Sequence, residues 1–220
     1  MRIGELAERT GVPAATIKFY LRERLLPPGE HGEGNVVEYG PLHVHRLMLI
    51  RALSETAGLS VAQIGEVLTV LSRHSESAFQ AMGATLAATH REPKFSLASE
   101  DAVERAERAV DRLLAAYDWA EVTPPMYRDA LITSLTAYFR LGNSDLGEVL
   151  THWADAATQL ASADMESIVE AAGDGGVDVE QTVVTTLLGE TVVATLRRIA
   201  HIAASARFQA ERGPSGTIGP

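Results

Sequence analysis

Apolar residues recur along most of the chain at intervals of three and four, the spacing of an α-helix that packs along one stripe. Ile3, Leu6 and Ala7 mark a short helix over residues 2–9. Thr10-Gly11 ends it, and Pro13 opens the next, because a missing N–H costs nothing in the first helical turn. The second helix runs through Arg24, and two short helices joined through a glycine turn predict a helix-turn-helix. On a wheel of about 100° per residue, Ala14, Ile17 and Leu21 form its packing side, with Tyr20 at the margin. Ala15, Lys18, Phe19 and Arg22 turn the other way. A phenyl ring between two cations is unusual for a merely solvated face, where Glu, Lys and Gln normally stand. A phosphate-lined groove explains it.

Leu25-Leu26-Pro27-Pro28 reads as a short extended segment, residues 29–35 as a loop with three glycines, and Val36-Val37-Glu38-Tyr39 as β-branched and aromatic. Together they predict a small β-hairpin, or wing. Pro41 opens a third helix with Leu42, His45, Leu49 and Leu53 on one face, closed by Ala57-Gly58. Ser60 and Gln63 form a capping box ahead of a fourth helix striped by Ile64, Val67, Leu68 and Leu71.

Beyond this point the pattern stays helical. Phe79, Met82 and Leu86 mark a short helix over residues 75–91, broken at Pro93, with a hinge over 95–99. Ser99 caps a helix over 100–117, Thr123-Pro124-Pro125 starts one that reaches Leu141, and Ser144 starts one ending near Ala172. Asp178 with Gln181 starts the longest, to about Arg212. Its apolar residues, Val183, Val184, Leu187, Leu188, Val192, Val193, Leu196, Ile199 and Ile202, lie nearly all round. That helix is therefore central in a bundle or a dimer interface. The expected fold class is all-α with a small β-hairpin wing. A winged helix-turn-helix occupies residues 1–72, a short helix and hinge 73–99, an all-helical bundle 100–212, and a disordered tail 213–220.

The order helix, turn, helix, wing, helix, helix resembles the DNA-binding head of the MerR family of transcriptional regulators. The likeness is carried by Ile3-Gly4-Glu5-Leu6-Ala7, Thr10-Gly11-Val12, Thr16-Ile17-Lys18-Phe19-Tyr20, Leu25-Leu26-Pro27-Pro28, Tyr39, Leu49-Ile50-Arg51-Ala52-Leu53 and Gly58-Leu59-Ser60-Val61-Ala62-Gln63-Ile64. It covers about the first third of the chain. The family commonly has Arg-Tyr-Tyr where this chain has Lys18-Phe19-Tyr20, a basic or polar residue at Ala15, and a wing Arg at Val37. These departures imply a phosphate grip that is weaker or differently shared. Carried over by position, the resemblance implies that Thr16, Lys18, Phe19, Tyr20 and Arg22 meet the duplex. Arg51 and the wing around Asn35 touch the backbone, and Tyr39 and Arg46 complete the set. It further implies a homodimer on a pseudo-palindromic operator, bending and untwisting of double-stranded DNA, and RNA polymerase as a partner. The long family helix that pairs with its twin is interrupted here at Pro93, so dimerisation falls to residues 79–86 or to the C-terminal domain.

The formal charge of −10 argues against a nucleic-acid partner until its distribution is read. Residues 1–92 carry nine Lys and Arg against ten Asp and Glu, and residues 93–220 carry ten against nineteen. Phosphate attraction depends on local charge, and Lys18, Arg22, Arg24, Arg46 and Arg51 can gather on one face while the acidic body turns away. No cysteine occurs, which excludes disulfides and thiolate metal sites and fits a reducing compartment. No run of about eighteen apolar residues suggests a membrane span, and Met1-Arg2 leads straight into a helix, so a soluble cytoplasmic protein without a membrane partner is expected.

Little in the C-terminal half suggests chemistry. Gly173-Asp174-Gly175-Gly176 lacks the Lys-Ser or Lys-Thr of a phosphate loop and reads as an interhelical turn. His152 with Asp155, or His43 with His45, lacks a third metal ligand. Glu100, Asp101, Glu104, Glu107 and Asp111 interleave with Arg105, Arg108 and Arg112 as a solvated, self-paired face. No set of nucleophile, base and orienter is recognisable, so neither an enzyme nor a cofactor is expected. Six of the chain's twelve aromatics, Tyr117, Trp119, Tyr127, Tyr138, Phe139 and Trp153, fall within thirty-seven residues. They form core or line a cavity for a small hydrophobic or cationic effector. Tyr117, Trp119, Tyr127, Tyr138, His152 and Trp153 are the candidate effector residues, with Thr136 and Gln159 as polar companions. The alternative reading is a protein-interaction module whose helix-turn-helix head does not bind DNA specifically.

Overall fold

The computed structural model describes residues 1–31, 36–73, 77–91, 100–141, 146–172 and 176–212. Asn35, Pro93, the hinge over 95–99, Ser144, the turn at 173–175 and the tail from 213 lie outside the described residues. The chain forms two compact units, one of residues 1–89 with 172–220 and the other of 90–171. These limits differ from the expected boundaries, because the last helix packs with the N-terminal unit.

In the first unit, α1 (Ile3–Thr10) and α2 (Ala14–Arg22) are joined through Gly11, in the left-handed region at φ 68°. At the last residue of α1 the Thr10 hydroxyl donates back to the Leu6 carbonyl at 2.7 Å, and the left-handed Gly11 ends the helix. A two-stranded antiparallel hairpin follows, β1 (Glu30–His31) with β2 (Val37–Glu38), in a register that pairs Glu30 with Glu38 and His31 with Val37. The first strand thus starts after the extended segment over 25–28. Leu25 and Leu26 are instead buried in the core beneath. Gly29 is fixed by close approach, since a Cβ there would lie 2.6 Å from both the Glu38 carbonyl and Val37 Cγ1. Helix α3 (Pro41–Arg51) runs into a π-helical turn (Ala52–Thr56), then come α4 (Val61–Arg73) and α5 (Ala78–Thr89). The expected box at the start of α4 is present: Gln63 N–H donates to Ser60 Oγ at 3.3 Å and Ser60 N–H to Gln63 Oε1 at 3.1 Å.

Two apolar clusters hold this unit. Leu6, Val12, Ile17, Leu26, Tyr39 and Leu47 form one, and Leu25, Leu49, Ile50, Leu53, Ile64 and Val67 lie in the other. Tyr20 packs against both. Leu6, Ile17, Leu47, Ile50 and Leu53 are fully buried, and each such side chain contributes about 1.5–3 kcal/mol. The face assigned to α3 from its sequence is half right. Leu49 and Leu53 are inside, while Leu42 is 63% exposed and His45 is exposed, pairing with Glu180. Leu47, Ile50 and the polar His43 take the buried positions.

Helix α9 (Val179–Arg212) inserts Val183 and Leu187 into the second of these clusters and packs along α5. The all-round apolar pattern of this helix is therefore explained differently over its two halves. Its first half is covered by the N-terminal unit, whereas Val192, Leu196, Ile199 and Ile202 are 55–71% exposed.

The second unit contains α6 (Glu100–Ala116), α7 (Pro125–Arg140) and α8 (Gly147–Ala172). Ala102, Ala106, Val110 and Leu114 of α6 pack on Leu135 and Phe139 of α7, and Leu146 at the start of α8 closes the cluster. Three helices, rather than four, share this core among the described residues.

Candidate nucleic-acid interface

The helix-turn-helix is locked from below. Arg51, at the end of α3, donates from Nη1 to the Thr10 carbonyl at 3.0 Å, at the last residue before the glycine turn. Its Nε and Nη2 grip both carboxylate oxygens of Glu55 at 2.9 and 3.0 Å. The hydrogen bond from Arg51 holds the Glu55 carboxyl below its ordinary range, and the same bond raises the Arg51 guanidinium. Arg51 is thus a brace for the turn, which the sequence showed only as a candidate phosphate contact. Gly11 closes the same corner, with its missing Cβ 3.3 Å from Arg51 Nη1.

The start of α3 and the wing share a second lock. His43 is 7% exposed. Its Nδ1 accepts from Gly40 N–H at 3.0 Å, which leaves Nε2 to donate to the Pro28 carbonyl at 3.3 Å, so the neutral Nε2–H tautomer satisfies both partners. Tyr39 meets the His43 ring edge-on at 5.1 Å. Placed among the DNA-contacting residues by resemblance, Tyr39 is instead a core residue at 7% exposure. Its main chain pairs with Met1, N–H to carbonyl at 2.8 Å, with the Met1 amino group returning to the Tyr39 carbonyl at 3.0 Å.

With its inner side fixed by Ile17, α2 leaves Ala15, Lys18 and Arg22 exposed and Thr16, Phe19 and Tyr20 partly buried. The Arg22 guanidinium lies over the Phe19 ring at 5.9 Å, and Phe19 meets Tyr20 at 5.8 Å. A cation resting on a ring keeps its donors outward and loses little freedom when it meets an anion. Just beyond, Arg24 adopts the left-handed region at φ 59°. The Leu25 N–H then reaches the Tyr20 carbonyl at 2.9 Å, which closes α2 with a Schellman-type bond. A non-glycine residue in that conformation costs about 1 kcal/mol, and backbone strain of this kind concentrates at functional sites. Arg46 is partly buried at a recess it shares with Arg24, Arg73, Glu23 and Glu66, where carboxylates offset the cations. In the wing, Glu30 and Glu38 stand opposite each other, a like-charged pair on the element expected to approach phosphate.

Of the candidate effector residues, Tyr117 lines a recess in the second unit. Trp119 stacks on Tyr117 at 4.8 Å, Tyr127 meets His90 edge-on at 4.8 Å, and Tyr138 meets Phe139 at 6.3 Å. His152 and Trp153 are exposed on α8, Thr136 is buried, and Gln159 is exposed. Among the described residues no group of three or more His, Asp or Glu is placed to hold a metal ion, and no helix is long and apolar enough to cross a membrane.

Two helices locked at a glycine turn, a two-stranded wing and an open cationic and aromatic face on the second helix define a winged helix-turn-helix domain. Residues 1–71 belong to the MerR HTH family of regulatory proteins. Among similar curated proteins is a mercuric resistance operon regulatory protein of Bacillus cereus, 38% identical over 33% of this chain and 54% of its own length. A second, of Serratia marcescens, is 34% identical over 31% and 46%. A homolog of the transcriptional regulator ZntR from Haemophilus influenzae is 33% identical over 34% and 64%. The chain thus spans about half the length of the curated relatives it matches. Similarity beyond the head comes from the crystal structure of a candidate transcriptional regulator of Streptomyces coelicolor A3(2), 30% identical, with both chains covered to 100% and a TM-score of 0.67.

Proposed function

We propose that this protein is a homodimeric, sequence-specific DNA-binding transcriptional regulator of MerR type, acting in the cytoplasm under control of a small-molecule effector. The observation that carries the reading is the outer face of α2, where Lys18 and Arg22 are exposed on either side of Phe19 while the inner face is sealed by Ile17. Lys18 and Arg22 supply phosphate and base-edge donors, Phe19 and Thr16 supply apolar and hydroxyl contacts, and Tyr20 orients the set from the core margin. Asn35 and Arg46 add contacts to the DNA backbone.

The second half of α9 supports a dimer. Val192, Leu196, Ile199, Ala203, Ala206 and Ala210 recur at alternating spacings of four and three, which is the seam of a coiled coil. Its first three members are 55–57% exposed, and small residues at the far end permit close approach. A second copy of this chain laid along the seam covers it. A two-fold dimer places two copies of α2 in successive major grooves, about 34 Å apart, on a pseudo-palindrome. Kinking and untwisting such a site costs deformation energy, and an effector that favours the distorted complex offsets that cost. Contact with RNA polymerase at the promoter belongs to the same reading. The mercury in the names of two relatives does not carry over, because soft metal ions favour thiolates and this chain has no cysteine.

Selection of bound fragments from random duplex, followed by footprinting, tests the reading. Inverted half-sites about one helical turn apart are expected. A second reading, an interaction module with a head that does not read DNA, is favoured by the apposed Glu30 and Glu38 of the wing. Recovery of fragments without any shared motif supports that alternative.

A further inference from the structure

The compact N-terminal unit takes in residues 172–220 as well as 1–89, whereas the family match covers residues 1–71. The addition is α9, and its first half grips α3 at two polar points. Glu180 pairs with His45, and the Thr191 hydroxyl donates to the Thr56 carbonyl at 3.3 Å. Both pairs are 135 residues apart in sequence, so the two segments run side by side in the same direction over about 16 Å. Between the two points Val183 and Leu187 are buried in the cluster with Leu49, Ile50 and Leu53. Over that same stretch α3 gives way to the π-helical turn, where the Ala57 N–H returns to the Ala52 carbonyl at 3.2 Å. Such turns are rare and concentrate at functional sites, because the extra residue redirects the groups around it.

The last carbonyls of a helix have no partner within it. Two such ends are found here, and each is satisfied from another element: Thr10 at the end of α1 by Arg51, and Thr56 at the end of the π-helical turn by Thr191. Glu55 stands next to Thr56 and takes the Arg51 guanidinium through both oxygens at 2.9 and 3.0 Å. A continuous line of contacts therefore runs from Thr191 through Thr56, Glu55 and Arg51 to the Thr10–Gly11 corner that sets the angle of α2. We propose that α9 is a working part of the DNA-binding head: its first half holds the π-helical turn, and through it the glycine corner, in the geometry that presents α2 to the duplex. Thr191 and Glu55 are then positioning residues for DNA recognition, although neither stands on α2. The exposed seam of α9 begins at the next residue, Val192, so the rod that would close the dimer also fixes each head to it. This deepens the function proposed above and rests on it only for the DNA that the head meets.

Hydrogen exchange and DNA anisotropy on the full chain test the coupling. The Val12 N–H, which donates to the Thr10 hydroxyl at 3.3 Å, reports on the corner from a distance. Thr191→Val keeps the shape of the side chain and removes the hydroxyl. It should speed exchange at Val12 by about three- to tenfold and weaken DNA binding by a similar factor, with the salt slope unchanged because no phosphate contact is lost. Thr195→Val removes a hydroxyl that bonds within α9, to the Thr191 carbonyl at 2.9 Å, and should do neither. Adding Thr191→Val to Arg51→Met should change Val12 exchange no further than Arg51→Met alone, since both cut one path. Val12 exchange or DNA affinity indifferent to Thr191→Val, or effects of the two substitutions that simply add, overturns the proposal. The unaltered chain supplies a test without variants. As urea is raised below the unfolding transition, the Val12 and Leu187 amides should come to share one opening event, and a Val12 amide that stays protected while Leu187 exchanges overturns the proposal too. Coupled exchange in a chain that binds no DNA keeps the brace and removes the regulator, and DNA binding by a chain in which exchange is uncoupled does the reverse.

Discussion

His43 shows how one buried polar side chain can position a site from a distance. It caps α3 through Gly40 and ties down the chain entering the wing through Pro28. His43→Ala leaves both groups without their partner, and a loss of about 1–3 kcal/mol in urea unfolding is expected, with DNA affinity falling through wing displacement rather than lost contacts. An unchanged midpoint would show that the two bonds are spectators. Glu190 on α9 offers a pH test with a defined sign. Partial burial raises its carboxyl above the ordinary range, so the folded form holds its proton more tightly than the unfolded form. The contribution to stability is fully present below the unfolded pKa and lost as pH rises through the folded one. Glu190→Gln should therefore be more stable than the unaltered chain at neutral pH, with the gap closing as the medium is acidified. Thermal melts across that range check it, and a gap that widens on acidification would contradict it.

At the scale of elements, the end of α2 is where structure and function pull against each other. Arg24 occupies a left-handed position that glycine fills without strain. Arg24→Gly is expected to stabilise the domain by about 0.5–1 kcal/mol, yet to weaken DNA binding if the cation there meets phosphate. A variant that is both more stable and binds as well would remove Arg24 from the interface. The wing makes the opposite trade: Glu30→Gln with Glu38→Gln should tighten DNA binding, since it relieves the cross-strand repulsion and removes two negative charges from the element proposed to approach phosphate. The helices, the glycine turn and the capping box at Ser60 were legible in the sequence because short-range periodicity and cap chemistry determine them. Long-range competition was not. Nothing local says that Tyr39 sinks into the core, or that Arg51 is spent on the Thr10 carbonyl.

For the molecule as a whole, the question is how an acidic chain would hold DNA. The charge of −10 is concentrated in residues 93–220, so the head works close to neutrality and a single copy has few phosphate contacts to offer. The proposed dimer along α9 would double them. Leu196→Glu with Ile199→Glu should shift sedimentation from dimer to monomer and reduce DNA affinity by orders of magnitude without altering the fold of the head. A dimer that survives both changes would move the interface elsewhere. The outer face of α2 remains the central claim, and fluorescence anisotropy with a selected duplex across a range of salt concentrations tests it most directly. The unaltered chain should bind with an affinity that falls steeply as salt rises. Lys18→Ala should weaken binding at every salt concentration and flatten the slope by about one counterion per head. Affinity and slope both unchanged in Lys18→Ala, in a chain that still folds, would contradict the assignment of α2 to the duplex.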